Sequence, residues 1–366
     1  MEEWKEYKLG DVLTIKYGKD HKQLADGDIP IYGSGGIMRY GERSLYDGPS
    51  ILIPRKGSLN NVIYADKPFW TVDTMFWSII NDSIANPLFV YYSICKKDFA
   101  SLNVGSAVPS LTVPVIEDID ILLPSKATQD KVVSVLKSLD DKIELNRHIN
   151  DNLEQQAQVL FNHYFVDTPE ILGDCTVGNL TDIASYLNGL AMQKYRPTAN
   201  DAGIPVLKIK ELGQGKVNEH SDQCSENIDS QYKVDNGDVI FSWSGTLMVK
   251  IWCGGECGLN QHLFKVTSEK YPKWFYYFWT LHHLKKFIHI AQDKAVTMGH
   301  IKRSELEKSE VLIPSNKKLI EIDKIVSPLL AKIIALQTEC RNLTALRDTL
   351  LPKLMSGEVE INKINN

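Results

Sequence analysis

The sequence predicts an α+β chain: two similar, mostly β domains, each followed by a long helix, the two helices running antiparallel as a coiled coil. Three observations predict it. Segments of the first half recur in the same order roughly 190 residues later. Short β-branched and aromatic runs, broken by Gly, Pro, Asn and Asp, fill most of each copy. Each copy then closes on a stretch almost free of Gly and Pro, with apolar residues stepping by four and three.

The repeat is read from matched segments. Leu9-Gly-Asp-Val resembles Leu180-Thr-Asp-Ile, and Ile29-Pro-Ile resembles Ile204-Pro-Val. Ile51-Leu-Ile-Pro-Arg-Lys-Gly-Ser-Leu resembles Val239-Ile-Phe-Ser-Trp-Ser-Gly-Thr-Leu. Pro87-Leu-Phe-Val-Tyr-Tyr resembles Pro272-Lys-Trp-Phe-Tyr-Tyr, and Ile121-Leu-Leu-Pro-Ser resembles Val311-Leu-Ile-Pro-Ser. The drifting offset implies loop insertions. Two copies are too few for a solenoid, so the pattern reads as a duplicated domain with a pseudo-two-fold internal repeat. The predicted domains are residues 1–126 and 169–316, and the predicted helices 127–168 and 317–366. Asp26-Gly-Asp, Tyr32-Gly-Ser-Gly-Gly and Asp235-Asn-Gly-Asp mark turns.

The first helix has a seam of Val132, Leu136, Leu139, Ile143, Asn146, Asn150, Leu153, Ala157, Leu160 and Tyr164. The second has Ile322, Val326, Leu329, Ile333, Leu336, Cys340, Leu343, Arg347, Leu350 and Leu354. A period near 3.5 held this long points to helices winding on one another. Packing of each helix on its own β domain, or on a helix of another chain, are the other readings. Pro328 is expected to kink or restart the second helix.

Composition limits the function. No run of about 18 apolar residues offers a membrane span. The opening Met1-Glu-Glu-Trp-Lys has neither the basic nor the apolar region of a secretory signal. Six irregularly spaced cysteines suit a reducing compartment better than a disulfide framework. The net charge is -5. Residues 1–175 carry 17 Lys and Arg against 25 Asp and Glu, a balance of -8; residues 176–366 carry 24 against 21, or +3. A nucleic-acid binder usually has a basic footprint, so in the first half either the cations gather on one face or a partner supplies phosphate contacts.

One known family has this order of parts. A β domain leads to Gly105-Ser-Ala-Val-Pro-Ser-Leu-Thr and Ile121-Leu-Leu-Pro-Ser, and Gln129 opens a long heptad helix. The pattern repeats and the chain closes on Leu346-Arg-Asp-Thr-Leu-Leu-Pro-Lys-Leu-Met-Ser-Gly-Glu-Val. Over nearly its whole length the chain resembles the specificity subunit of type I restriction-modification enzymes. That resemblance implies two target-recognition domains, each reading one half of a split site in double-stranded DNA. It implies helices that act as a ruler and dock two methyltransferase (M) subunits, with restriction (R) subunits completing a cytoplasmic complex. It implies no cofactor in this subunit; S-adenosylmethionine, ATP and Mg2+ belong to the partner subunits. Leu319, standing where the first copy has Gln129, and Pro328 depart from the pattern.

Enzyme motifs are weak. Asn86-Pro-Leu-Phe is similar to the Asn-Pro-Pro-Phe of adenine methyltransferases, but the second Pro and a preceding Gly-rich nucleotide loop are missing. It reads instead as a helix start, as does Tyr271-Pro-Lys-Trp. Tyr32-Gly-Ser-Gly-Gly lacks the Gly-Lys-Ser/Thr end of a phosphate loop. Cys253-Gly-Gly-Glu-Cys257 with His262 lacks the second ligand pair of a structural zinc. Glu3-Trp-Lys5 has no acidic strand before it. No catalytic residue and no metal site are expected. A free-standing methyltransferase or nuclease, or a helical scaffold, are the rival functions.

Candidate DNA contacts follow from donor and acceptor chemistry. In the first copy they are Ser34 and Arg39, then Arg55, Lys56, Ser58, Asn60 and Asn61. In the second they are Lys194, Arg196, Lys208, Lys210, Ser242, Ser244, Thr246, Asn260, Gln261 and His262. Each also has a plainer reading. Lys208 and Lys210 alternate as on the wet face of a strand, Trp243 suits a core, and Asn260 suits a turn.

Overall fold

A computed structural model describes residues 4–105, 108–293 and 300–359. Ser106 and Ala107 of the Gly105–Thr112 run, and Met1, Glu2 and Glu3 of the opening segment, lie outside the described residues. The chain divides into two units, Met1–Asp141 with Ala345–Asn366, and Lys142–Thr344.

The first unit carries β1 (Lys5–Lys8), α1 (Leu9–Val12), β2 (Leu13–Tyr17), β3 (Ile29–Gly33), β4 (Gly36–Gly41), β5 (Ser50–Pro54), β6 (Ile63–Ala65), β7 (Trp70–Thr71) and β8 (Met75–Ile80). Then come α2 (Pro87–Ile94), α3 (Val113–Glu117), β9 (Asp120–Leu123) and the start of α4 (Lys126–Asn162). The second unit carries β10 (Cys175–Asn179), α5 (Leu180–Ile183), β11 (Ser185–Asn188), β12 (Ile204–Leu207), α6 (Ile209–Gln214), β13 (Gln223–Cys224) and β14 (Lys233–Val234). It continues with β15 (Val239–Ser242), β16 (Met248–Ile251), β17 (Cys257–Leu259), β18 (Leu263–Thr267), α7 (Lys273–Asp293), α8 (Arg303–Glu307), β19 (Glu310–Pro314) and α9 (Asn316–Met355).

The two units share one topology, to which β14 adds a fourth strand in the second sheet of the second unit. In the first, an antiparallel sheet has the order β2-β8-β5-β6, and a second sheet the order β4-β3-β7 with β3 and β7 parallel. In the second, the orders are β11-β18-β15-β16 and β13-β12-β17-β14, with β12 and β17 parallel. A two-stranded ribbon closes each, β1 with β9 and β10 with β19. The sequence repeat is therefore a repeat of strand pairing, with β2, β5, β8 and β9 matching β11, β15, β18 and β19.

Burial explains the strands. β5 and β15 are inner strands covered on both faces and buried at every position, which is why they read as unbroken apolar runs. In the first unit Leu9, Ile53, Phe76 and Phe89 pack with Val132 and Leu136 of α4 and with Leu351 and Leu354 of α9. In the second, Phe241, Phe264 and the aromatic face of α7, Trp274 to Trp279, pack with Phe161 and Phe165 and with Ile322, Val326 and Ile333.

The helices combine two of the predicted arrangements. Their outer turns pack on the β domains. Within the second unit they also pair antiparallel: Cys340 Sγ donates to the Ile143 carbonyl (3.6 Å), Asn146 Nδ2 to Glu339 Oε2 (3.0 Å), and Gln337 Nε2 to Glu154 Oε1 (3.1 Å). In the first unit Arg347 Nη1 donates to Asp140 Oδ1 (2.7 Å). Val132, Leu136, Ile143, Asn146, Asn150, Ile333, Leu336 and Leu354 are buried; Leu139, Leu153, Leu160, Leu329, Leu343 and Leu350 are half-buried. α9 does not restart at Pro328. The Pro328 ring and Lys324, whose carbonyl loses its amide partner, both lie on the exposed side, where water can satisfy that oxygen.

Candidate DNA interface

The end of β5, the turn between β7 and β8, and the loop after β2 are laced together by backbone hydrogen bonds. The Arg55 N–H donates to the Thr74 carbonyl (2.8 Å), Val72 to Tyr32 (3.0 Å), Gly18 to Met75 (3.0 Å) and Leu111 to Arg55 (2.9 Å). The second unit repeats each bond at the matching residues. Trp243 donates to His262 (3.4 Å), Asn260 to Leu207 (3.2 Å), Gly189 to Leu263 (3.0 Å) and Ile301 to Trp243 (2.9 Å). Glycine is required at the same point of both. A Cβ on Gly18 would stand 2.0 Å from the Val72 carbonyl oxygen, and one on Gly189 would stand 2.3 Å from that of Asn260. Two stretches with different side chains thus share one backbone frame.

In the first unit the frame presents Arg55, Lys56 and Asp73. The Arg55 guanidinium lies 5.6 Å from the Tyr17 ring centroid, and its Nη1 donates to the Asp73 carbonyl (3.2 Å). Lys56, Ser58 and Asp73 are exposed. The other candidates here are tied into the fold. Arg39 donates to the carbonyls of His21 (2.6 Å) and Leu24 (3.0 Å) and pairs with Asp26 (3.1 Å). Asn60 bonds the Asp98 carboxylate (3.0 Å) and the Ala100 N–H (2.8 Å). Asn61 Nδ2 donates to the carbonyl of the half-buried Ser34 (2.8 Å). Arg39, Asn60 and Asn61 therefore shape loops. Asp73 is not among the residues favoured by sequence, which are Arg, Lys, Asn, Gln, Ser, Thr and His; its counterpart in the second unit is Gln261, 188 residues later.

In the second unit the frame borders an open cleft of about 710 Å³, lined by Arg196, Lys208, Lys210, Asn260, Gln261 and His262 among others. Lys194, Arg196, Lys210 and Thr246 are exposed. Lys208 and Lys210 are not on a strand: Lys208 stands at the N-cap position of α6, without a side-chain bond to the helix, and Lys210 lies in its first turn. Lys208 pairs with Asp222 and holds that carboxyl below the usual range. Ser242 is buried, its hydroxyl donating to the Ser244 carbonyl (3.2 Å). Ser244 Oγ meets His262 Nδ1 (3.0 Å), and Asn260 Oδ1 accepts the His262 N–H (3.3 Å), closing an Asx turn. Gln261 Nε2 reaches His262 Nε2 (3.3 Å). Trp243 stacks on Phe264 (5.6 Å), and its Nε1 donates to Asn188 Oδ1 (3.0 Å).

The weak enzyme motifs have structural duties. Asn86 caps α2, its Oδ1 accepting the N–H groups of Leu88 (2.9 Å) and Phe89 (3.3 Å). Cys253 and Cys257 are free, buried thiols; burial pushes Cys257 up to about 12, away from the thiolate that a metal takes. Among the described residues no group of His, Cys, Asp and Glu is placed to hold a metal ion. Nor is any helix there long and apolar enough to cross a membrane.

Comparison with known proteins converges on one family. The type I restriction modification DNA specificity domain matches residues 1–155 and again 173–344. The MjaIX type I restriction enzyme specificity subunit of Methanocaldococcus jannaschii is 27% identical, over 98% of this chain and 89% of its own length. The HindI specificity subunit of Haemophilus influenzae is 19% identical, over 98% of this chain and 100% of its own. The crystal structure of the S subunit of a type I restriction-modification system from M. genitalium has the same fold, at a TM-score of 0.68 and 14% identity over 96% of both chains. With two family domains, two copies of one topology and this agreement over nearly the full length, the chain belongs to the family of type I restriction-modification DNA specificity subunits.

Proposed function

We propose that each unit reads one half of a split site in double-stranded DNA through the frame just described, while the helices set the gap between the halves. The observation that carries this reading is the recurrence of one backbone frame, bond for bond, under two sets of side chains. A shared frame fixes the approach to DNA, and different side chains allow two different half-sites. The cations at hand, Arg55 and Lys56 in one unit and Lys194, Arg196 and Lys210 in the other, supply phosphate contacts. Arg39, Asn60 and Asn61 act through loop geometry.

The chain is a specificity subunit and not itself the catalyst. Two methyltransferase subunits dock on the helices, where Leu145, Ile149 and Val159 are exposed, and restriction subunits join the assembly in the cytoplasm. S-adenosylmethionine, ATP and Mg2+ serve those subunits. The test is to exchange residues 1–126 for those of another family member and select preferred sites from a randomised duplex library. One half of the selected site should change while the other half stays. A change in both halves overturns the reading.

A further inference from the structure

The frame offers two side-chain positions that are equivalent in the two units. The first is residue 55, matched by residue 243. Both are tied down, and to matching partners. Arg55 lies over Tyr17, and Trp243 bonds Asn188. Tyr17 and Asn188 are themselves equivalent, since Tyr17 pairs with Phe76 across β2 and β8 and Asn188 with Phe264 across β11 and β18. The second position is residue 73, matched by residue 261, at the tip of the turn that follows β7 or β17. Asp73 is exposed and Gln261 half-buried. Each turn is held from behind by the bond at the preceding residue, Val72 to Tyr32 and Asn260 to Leu207.

We infer that residues 73 and 261 are the equivalent base-reading positions of the two units, with Gln261 matched to adenine and Asp73 to cytosine. This rests on the DNA-reading role proposed above. Gln261 is held for the task. With the proton of His262 on Nδ1, the imidazole donates to Ser244 Oγ and accepts one Gln261 N–H at Nε2. His262 taking the N–H anti to the carbonyl oxygen leaves the other N–H and that oxygen side by side, a donor next to an acceptor. That edge matches N7 and the N6 amino group of adenine in the major groove. His262 is thus a positioning residue for Gln261.

Asp73 offers acceptors only, which suit the N4 amino group of cytosine. A carboxylate facing DNA meets repulsion from the phosphates, but Arg55 is bonded to the carbonyl of the same residue at 3.2 Å and offsets it. The cleft beside Gln261 places Arg196 and Lys210 for the phosphates that flank the base read by the second unit.

The experiment uses the full chain assembled with the methyltransferase subunits of its own system, and selects duplexes from a library randomised in both half-sites. Gln261→Ala and Gln261→Glu should each lower the preference for adenine at one position of one half-site by about 5- to 150-fold. Asp73→Asn should move the preference at one position of the other half-site from cytosine towards adenine. All other positions should keep their bases. Unchanged preferences, or equal weakening on every sequence, in variants that still assemble and bind would overturn the assignment of residues 73 and 261 while leaving the reading role intact. If the unaltered assembly selects no split site at all, the reading role itself falls.

Discussion

Gln129 Oε1 accepts the Asn86 N–H at 2.8 Å, while Gln129 Nε2 donates to the carbonyls of Ile84 (3.1 Å) and Pro124 (3.0 Å). One fully buried amide therefore ties the start of α4 to the loop that caps α2. Gln129→Leu would place an apolar side chain of similar size over three polar groups and leave them without partners. We expect it to destabilise the first unit by about 2–4 kcal/mol, measured as a lower midpoint in urea. Leu319, its counterpart in α9, is buried within the apolar core of the second unit, so Leu319→Gln should also destabilise, through the opposite fault.

Arg39 is expected to act on stability and not on sequence preference. Its guanidinium holds two carbonyls of the loop before β3. Arg39→Ala should cost about 1–3 kcal/mol and weaken binding to every DNA sequence alike. A changed base preference in site selection would place Arg39 at the DNA instead.

Lys56 is an exposed cation whose backbone N–H donates to the Thr74 carbonyl (3.2 Å) in the turn between β7 and β8. If it meets a phosphate, Lys56→Ala lowers affinity uniformly. The slope of log K against log salt concentration should fall by about 1. Titration of one duplex at several salt concentrations gives the answer.

Acid should loosen the second unit. Burial is the main cause that drives His283 down to about 4, and the neutral imidazole bonds the Glu310 carbonyl at 2.8 Å. His282 is lowered by the same cause. A depressed folded-state pKa means that the stabilisation is present above the ordinary histidine value and is lost as pH falls towards about 4. His283→Gln keeps a donor without a titrating group. The fall in urea midpoint between neutral pH and pH of about 4 should be smaller than in the unaltered chain.

If the helices measure the gap between half-sites, one heptad added after Asn150 and one after Cys340 keep the seam in phase and add about 10.5 Å of helix. The preferred spacer should then grow by about three base pairs. Selection over spacer lengths reads the result, and an unchanged spacer in a variant that still binds both halves argues against a ruler.

Much of the architecture was legible because periodicity and order survive in sequence. The strand Ile51 to Pro54 and its counterpart from Val239 were found by their match, and they turn out to be inner strands of equivalent sheets. The seam residues were found by spacing alone. The interface was less legible, for two physical reasons. Residue type does not say which groups a polar head bonds: Arg39 holds the carbonyls of His21 and Leu24, and Asn60 the carboxylate of Asp98, all distant in sequence. A shared frame is made of backbone bonds, to which the sequence gives no direct clue, so the equivalence of Asp73 and Gln261 is carried by the matched bonds at Val72 and Asn260. Lys208 and Lys210 misled because strand-like alternation over three residues is also compatible with a cap and a first helical turn. Pro328 misled because a proline facing solvent does not have to end a helix.

The burial of Cys224 and Cys257 has a practical consequence. Burial pushes the thiols of Cys224 and Cys257 up, to about 11 and about 12, so near neutral pH they are protonated as well as covered. A maleimide or disulfide reagent reaches them only when β13 and β17 come away from β12, the strand that lies between them. Their rate of capture, followed by mass, is therefore a native clock for opening of the second unit. It needs no engineered probe and can be run with the protein idle or at work on its DNA.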